Sequence, residues 1–224
     1  MVVASARIAF RPAYRIVSSR FPPVGVFDAI ADPADLEALY ALESMTNPRL
    51  RDELGAIALV PAQRRITGPG TTPVMAAFTH PNPEGSRFTP GGYGVYYCAG
   101  EQGTAIAETV FHKSRFLGST REPACVLDMR CYVGDVDGRF HDIRGAWPEL
   151  HDPVSYVASQ RFAVELRDRG SDGIVYDSVR ALGGTCLAAF HPDTIGPVRQ
   201  GPHLQYHWNG ERISRVSEAR DVAY

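Results

Sequence analysis

Several features that assign a function quickly are missing from this sequence. No run approaches the roughly 20 apolar residues a spanning helix needs, so no membrane segment is expected. The opening stretch, Met1 to Phe10, carries Arg7 inside its only apolar run and is too short for a secretory leader. A soluble cytoplasmic protein is the expectation. Charge of one sign is also missing: 23 Lys+Arg face 25 Asp+Glu, for a formal net charge of −2. Bulk attraction to nucleic acid or to an anionic membrane is therefore not expected, although positive charge can still be focused locally. Cysteine is sparse. Cys98, Cys125, Cys131 and Cys186 form no Cys-x-x-Cys pair and each lies in an apolar run. That placement fits buried free thiols in a reducing compartment.

Familiar chemical motifs are absent too. His203 and His207 stand four apart, but in a strand-like segment where they share a face with Gln205, and no third ligand is evident. No metal site is expected. Asp177-Ser178-Val179 lacks the glycines of a nucleophile elbow, and Ser178 has no obvious histidine base, which argues against a serine hydrolase. The pairs Gly91-Gly92 and Gly183-Gly184 make neither a dinucleotide fingerprint after a strand nor a Walker loop.

What is present fits one large domain of 224 residues, with 44% hydrophobic and 21% charged residues. Short strands are expected at Ala6 to Phe10 and Tyr14 to Val17, around Arg11-Pro12. A helix is expected from Asp32-Pro33 to Ser44, where Leu36, Leu39 and Tyr40 recur at helical spacing, and a second short helix over 48–55. Ile57 to Val60 and Val74 to Thr79 read as brief strands separated by a loop over 61–73. Further on come a strand over Cys125 to Tyr132 and a tight turn at Asp137-Gly138. A helix is expected from Asp152-Pro153 to about Arg169, with Val154, Val157, Ala158, Phe162 and Leu166 facing inward. Two hairpins follow: Ile174 to Asp177 with Thr185 to Phe190, and Leu204 to Trp208 with Arg212 to Val216. Strands outnumber helices and do not alternate with them. That pattern predicts an α+β fold, a mixed and mainly antiparallel β core with flanking helices.

The most informative stretch is residues 87–115. Gly91, Gly92 and Gly94 loosen the backbone before a strand. In that strand Val95, Tyr97 and Ala99 point to one face, and Tyr96 and Cys98 to the other. Gly100 ends it. A helix follows with an apolar stripe of Ile106, Ala107, Val110 and Phe111, and Glu108 sits beside the stripe. Arg87 lies where the loop can return it to the same place. An arginine, a tyrosine and a carboxylate around a Gly-rich bend can hold a phosphate-bearing ligand and a developing positive charge. The plainer alternative is an amphipathic helix with a solvated Glu108 and a surface Arg87.

Five pieces in order settle on one resemblance: Tyr14-Arg15, Arg87-Phe88-Thr89-Pro90, Val95-Tyr96-Tyr97-Cys98-Ala99, Ala105-Ile106-Ala107-Glu108, and Gly173-Ile174-Val175-Tyr176-Asp177-Ser178-Val179-Arg180. From Tyr14 to Phe190 the chain resembles the RES-domain proteins, toxins of bacterial toxin–antitoxin pairs whose fold is similar to that of ADP-ribosyltransferases. The resemblance implies a single catalytic domain over 1–224, interrupted by an insertion at about 24–80 that is atypical of the family. It implies NAD as substrate, cleaved at the nicotinamide–ribose bond, and a cognate antitoxin that blocks the active site. In that scheme Glu108 stabilises the oxocarbenium-like ribose. Arg87 grips the pyrophosphate, with Arg15 as a second candidate. Tyr97 offers its face to the nicotinamide, and Ser178 bonds ribose or phosphate. A strand arginine paired with a carboxylate, and a merely packed tyrosine, are the alternatives for Arg15 and Tyr97. The expected acceptor of ADP-ribose is a cellular protein, with an enzyme of nucleotide synthesis among the candidates. The insertion, with Arg49-Leu50-Arg51, Arg64-Arg65 and a loop at Pro69-Gly70, would dock it at the cleft rim; the alternative is that the insertion only pads the core. Water would instead give an NAD glycohydrolase and phosphate an NAD phosphorylase; a non-catalytic binding module on the same fold is the alternative of another class. Neither nucleic acid nor membrane is an expected partner.

Overall fold

In the computed structural model, which describes residues 3–19, 27–28 and 55–219, the chain is built on one seven-stranded sheet. The expected helices at 32–44 and 48–55 and the arginines at 49–51 lie outside the described residues. The strands are β1 Ser5–Ser18, β2 Tyr96–Ala99, β3 Cys125–Asp142, β4 Gly173–Asp177, β5 Thr185–Ala189, β6 Arg199–Trp208 and β7 Ile213–Ala219. Three α-helices pack on the sheet among the described residues: α1 Thr72–Thr79, α2 Gln102–Thr120 and α3 Val157–Asp168. The fold is α+β, and every strand pairing is antiparallel except the short ladder between β3 and β4.

Strand β3 organises the sheet because it is 18 residues long. Its first half bonds β6, its last two residues bond β4, and its other edge carries β1. β1 also bonds β2, at Tyr14 opposite Ala99. The pairing therefore closes through β1, β2, β5, β4 and β3, while β6 and β7 extend from the first half of β3. The expected turn at Asp137-Gly138 does not form. Both residues stay inside β3, opposite Ala9 and Ile8. An Asp-Gly pair turns the chain where two strand ends are free to meet, but here β1 supplies a ladder and the strand continues. Asp137 instead holds Arg7 Nε at 2.8 Å and Arg11 Nη2 at 2.7 Å across the pair. The two short strands expected around Arg11-Pro12 are one strand whose register shifts between Phe10 and Ala13, since proline has no N–H for the ladder.

Both faces of the sheet are covered, which is why β4 and β5 read as unbroken apolar runs. On one face Val95, Ala99, Ile174, Tyr176, Cys186 and Ala188 pack with Ala105 of α2 and with Phe162, Ala163 and Leu166 of α3. On the other, Tyr96, Cys98, Val175, Leu187 and Ala189 pack with Val74, Met75 and Phe78 of α1 and with Ile57 and Val60. The alternation expected of β2 is observed, as are both hairpins. The cysteines are free, with Cys98, Cys131 and Cys186 buried.

Two expected strands are helical. Ile57–Leu59 is a single 3-10 turn and Val74 to Thr79 belongs to α1. A short apolar run does not distinguish strand from buried helix by periodicity, whereas Pro73 in the first turn is a helix-start signal. Helix α3 starts later than expected, and Val154 and Val157 are 78% and 74% exposed. The Asp152 carboxylate accepts the N–H groups of Val154 and Ser155, both at 2.7 Å. This local turn holds 152–155 outside the helix, so its inward residues are Ser159, Phe162, Ala163 and Leu166. In α2 the buried residues are Thr104, Ala105 and Leu117. Ile106 and Val110 pack partly on the core, while Ala107 and Phe111 are half-buried on its flank.

Helix α1 approaches the loop before β2 backbone to backbone. A Cβ on Gly94 would land on the Ala77 carbonyl and the Phe78 Cα, and neither can rotate away. Gly94→Ala is expected to destabilise the protein by about 1–3 kcal/mol, the usual range for overpacking. Urea unfolding measures this, and an unchanged midpoint would show that α1 docks with slack.

Candidate active site

The face carrying α2 and α3 brings together most of the residues singled out in the sequence. Ser178 follows β4 at the start of the turn into β5. Its N–H bonds the Gly184 carbonyl at 2.8 Å. Its Oγ accepts the N–H groups of Arg180 at 3.1 Å and Ala181 at 2.9 Å. With its acceptor side taken, the hydroxyl donates to Glu108 Oε1 at 2.6 Å. Such a short bond to a carboxylate is charge-assisted. Glu108 is held at this position by α2, which can approach because Gly184 has no side chain. A Cβ there would lie 2.5 Å from Thr104 Oγ1. The side chain of Glu108 is only 19% exposed, as expected of a carboxylate at the edge of the apolar stripe.

Arg87 is buried, and among the described residues no carboxylate forms an ion pair with it. Its Nη1 donates to the carbonyls of Leu150 at 3.1 Å and Asp152 at 2.9 Å, and its guanidinium lies 4.6 Å from the centre of the Tyr156 ring. The surrounding loop is strapped from three sides. Ser159 Oγ donates to the Arg87 carbonyl at 2.7 Å, and Gln160 Nε2 to those of Ser86 at 2.9 Å and Thr89 at 3.2 Å. Tyr93 donates its hydroxyl to the Phe88 carbonyl at 2.8 Å. The Tyr97 hydroxyl accepts the Phe88 N–H at 2.9 Å and is hydrogen-bonded with Ser86 Oγ at 2.7 Å. Burial pushes the Tyr97 phenol well above its ordinary range. Tyr97 thus anchors the loop of Arg87 through its hydroxyl.

Two further side chains belong here that sequence reasoning gave no role. His112 is one turn beyond Glu108, with Nε2 4.0 Å from Glu108 Oε2, and is 53% exposed. Burial favours its neutral form; Glu108 opposes this, while Arg180, Arg87 and Arg115 reinforce it. Arg180 places its guanidinium over the face of Phe111 and donates Nη2 to the Pro153 carbonyl, while its Nε is buried without a hydrogen-bond partner. The spacing of four residues from Glu108 was the available signal for His112. Nothing local marks Arg180.

Arg15 is not brought to this group. It shares a side of β1 with Ala13 and Val17, which pack on the α1 face. Its guanidinium lies 4.6 Å from the centre of the Tyr96 ring and donates to the Tyr97 carbonyl at 3.1 Å. Tyr96 belongs to that same face. Burial lowers the Arg15 pKa, and the groups acting on it are Tyr96, Cys98, Tyr97 and Tyr132, not Glu108. Neighbouring residues of a strand point to opposite faces, so a motif that includes two of them does not place both at one site. The described part of the 24–80 segment lies on this same far side, where Ile57, Val60, Val74, Met75 and Phe78 fill the core.

Residues 62–209 match the family model described as RES domain. The chain belongs to the RES-domain family. It is 34% identical over 204 residues to the uncharacterized protein y4oC of Sinorhizobium fredii, covering 90% of this chain and 84% of that one. The crystal structure of the M. tuberculosis MbcT–MbcA toxin–antitoxin complex is similar at 12% identity and a TM-score of 0.46, over 92% of this chain and 88% of that one. The RES match begins at residue 62, so the far-side packing of α1 lies inside the family region. Among the described residues no group of three His, Cys, Asp or Glu is placed to hold a metal ion. His203 and His207 stand on β6 beside Gln200 and Ser217. No described helix is long and apolar enough to cross a membrane.

Tyr97→Phe keeps the ring but leaves the Phe88 N–H without its acceptor. The expected cost is about 1–3 kcal/mol, the price of an unsatisfied buried donor, read as a lower urea midpoint at unchanged slope. An unshifted midpoint would mean that the loop is held without the phenol.

Proposed function

We propose that this RES-domain protein is a toxin that cleaves the nicotinamide–ribose bond of NAD and is kept inactive by a cognate antitoxin. The observation that carries the reading is the short hydrogen bond from Ser178 to Glu108. When the bond from ribose to nicotinamide breaks, the electron pair leaves with nicotinamide and positive charge develops on the ribose. A carboxylate with one oxygen fixed and the other facing the site stabilises that charge without reorganising. Arg87 and Arg180 give the same neighbourhood the positive potential that suits a pyrophosphate. Their charges are offset by carbonyls and aromatic faces in the contacts described above. A non-catalytic module would have little use for a carboxylate oriented this way. In this reading Tyr97 positions the Arg87 loop, and Arg15 acts from outside the site.

The acceptor we favour is small, water or inorganic phosphate. Docking of a protein acceptor was expected from the 24–80 segment, and its described part packs beneath the opposite face. Transfer to a protein is the second reading. It is favoured by the exposed side chains of Val154, Val157 and Leu182, which flank the segments of Asp152 and Ser178. The same rim offers a seat to an antitoxin.

Purified protein incubated with labelled NAD is expected to release free nicotinamide. Label recovered as ADP-ribose or its phosphorylated form supports a small acceptor, whereas a labelled protein band in lysate supports transfer. Glu108→Ala is expected to lower release by about 10²–10³, the usual loss of a preorganised electrostatic group, and to abolish growth arrest on expression. Near-wild-type release by this variant would remove Glu108 from the chemistry. Arg87→Lys keeps the charge but loses the planar guanidinium that lies over Tyr156 and sets Nη1 between two carbonyls. A fall in kcat/KM for NAD is expected, and unchanged kinetics would show that the guanidinium plays no part in substrate use.

A further inference from the structure

We propose that His112 is the general base of the reaction, accepting the proton of the oxygen nucleophile that captures the ribose. This rests on the NAD-cleaving reading above and concerns its second half. The geometry gives three reasons. First, the two carboxylate oxygens of Glu108 are differently engaged. Oε1 takes the Ser178 hydroxyl, while Oε2 faces His112 Nε2 at 4.0 Å. That separation is too long for a direct hydrogen bond, yet an oxygen placed about 2.8 Å from each atom bridges them. Second, the His112 side chain is 53% exposed, so water or a small anion reaches it from solvent. Third, the charged groups around it favour a base at rest and an acid after transfer. Arg180 in the β4–β5 turn, Arg87 in the loop before β2 and Arg115 on α2 oppose an imidazolium, and Glu108 on α2 stabilises it once formed.

With water as the nucleophile, two bonds break and two form. The bond between ribose C1′ and the nicotinamide nitrogen breaks, and its electron pair leaves with neutral nicotinamide. A lone pair of the water oxygen forms the new C1′–O bond. The O–H bond electrons remain on that oxygen, and the proton passes to His112 Nε2, then to solvent. Glu108 is a poor base for this transfer, because protonation would remove the negative charge that the developing ribose cation needs. The two residues divide the work, with charge on one and proton on the other.

The test compares full-length wild type, His112→Gln and His112→Asn with NAD across the range in which imidazole titrates, with thermal melts to confirm folding. The expected wild-type kcat/KM rises with pH through an apparent pKa below the ordinary imidazole value of about 6.5. In both variants that limb is lost and kcat falls by about 10²–10⁴, a typical share for general acid–base catalysis, while KM for NAD changes little. Azide, a nucleophile with no proton to give up, should restore nicotinamide release in the folded His112 variants and not in Glu108→Ala. Variants that keep the wild-type kcat and pH limb overturn the proposal and leave NAD cleavage standing. A fall in kcat that azide does not restore also overturns it, assigning His112 to positioning alone. No nicotinamide release by wild type overturns this proposal together with the reading it rests on.

Discussion

A carboxylate drawn four-fifths into a protein must be satisfied where it stands, and the hydroxyl of Ser178 satisfies Glu108. That requirement sets the relation between helix α2 and the turn joining β4 to β5. The turn is shaped so that two backbone N–H groups saturate the serine as an acceptor, leaving its proton only one good direction. The helix reaches the turn because position 184 carries no Cβ. Each contact is ordinary in strength, of the order of 1–3 kcal/mol where a charged group takes part. Their joint effect is a carboxylate fixed in place with one oxygen committed, which is the form in which a charge does useful work on a reaction.

The second anchor is the loop over 86–93. An arginine buried against a carboxylate would be neutralised by it. Arg87 is instead solvated by two carbonyls and a tyrosine face, so its charge remains available to the surrounding site. Ser159 and Gln160 of α3, the phenol of Tyr97 and the hydroxyl of Tyr93 all serve to hold that loop. Secondary structure on one face of the sheet thus rigidifies an irregular segment, and precision in a site built on a loop depends on such support.

Glu108 was legible in the sequence because its place beside a helical apolar stripe already implied partial burial. Arg87 was legible through the Gly-rich loop that returns it toward Glu108, but Ser178 only as a member of an ordered set; no local pattern shows that residues 70 positions apart, Glu108 and Ser178, meet. Arg15 shows the converse. Strand parity puts its side chain with the Tyr96 ring rather than with the Tyr97 side chain. The alternation that sorts β2 sorts β1 as well, with Tyr14 and Ile16 on the α2 face and Ala13 and Val17 on the other. The segment Val74 to Thr79 failed for another reason: apolar residues buried on one side of a short helix and on both sides of a short strand look alike, and only Pro73 distinguished them. His112 carried a usable signal in its four-residue spacing from Glu108. Its significance depended on Arg87 and Arg180, which the fold brings from other elements to join Arg115 of its own helix.

Those arginines constrain what can occupy the site. Arg87, Arg180 and Arg115 all act on His112, against the single carboxylate of Glu108. The charges of Arg87 and Arg180 are softened by carbonyls and rings but not cancelled, and Arg180 leaves its Nε buried without a partner. An occupant that brings negative charge is favoured by the whole arrangement, and one that brings positive charge must place it next to Glu108. NAD, the substrate proposed above, meets both conditions, with two phosphates and a cationic nicotinamide at opposite ends of one ribose. If the proposed antitoxin inserts a segment here, that segment need satisfy only the first. An acidic side chain seated among the arginines would relieve their mutual repulsion without approaching the carboxylate, so inhibition and catalysis ask for different halves of the same field.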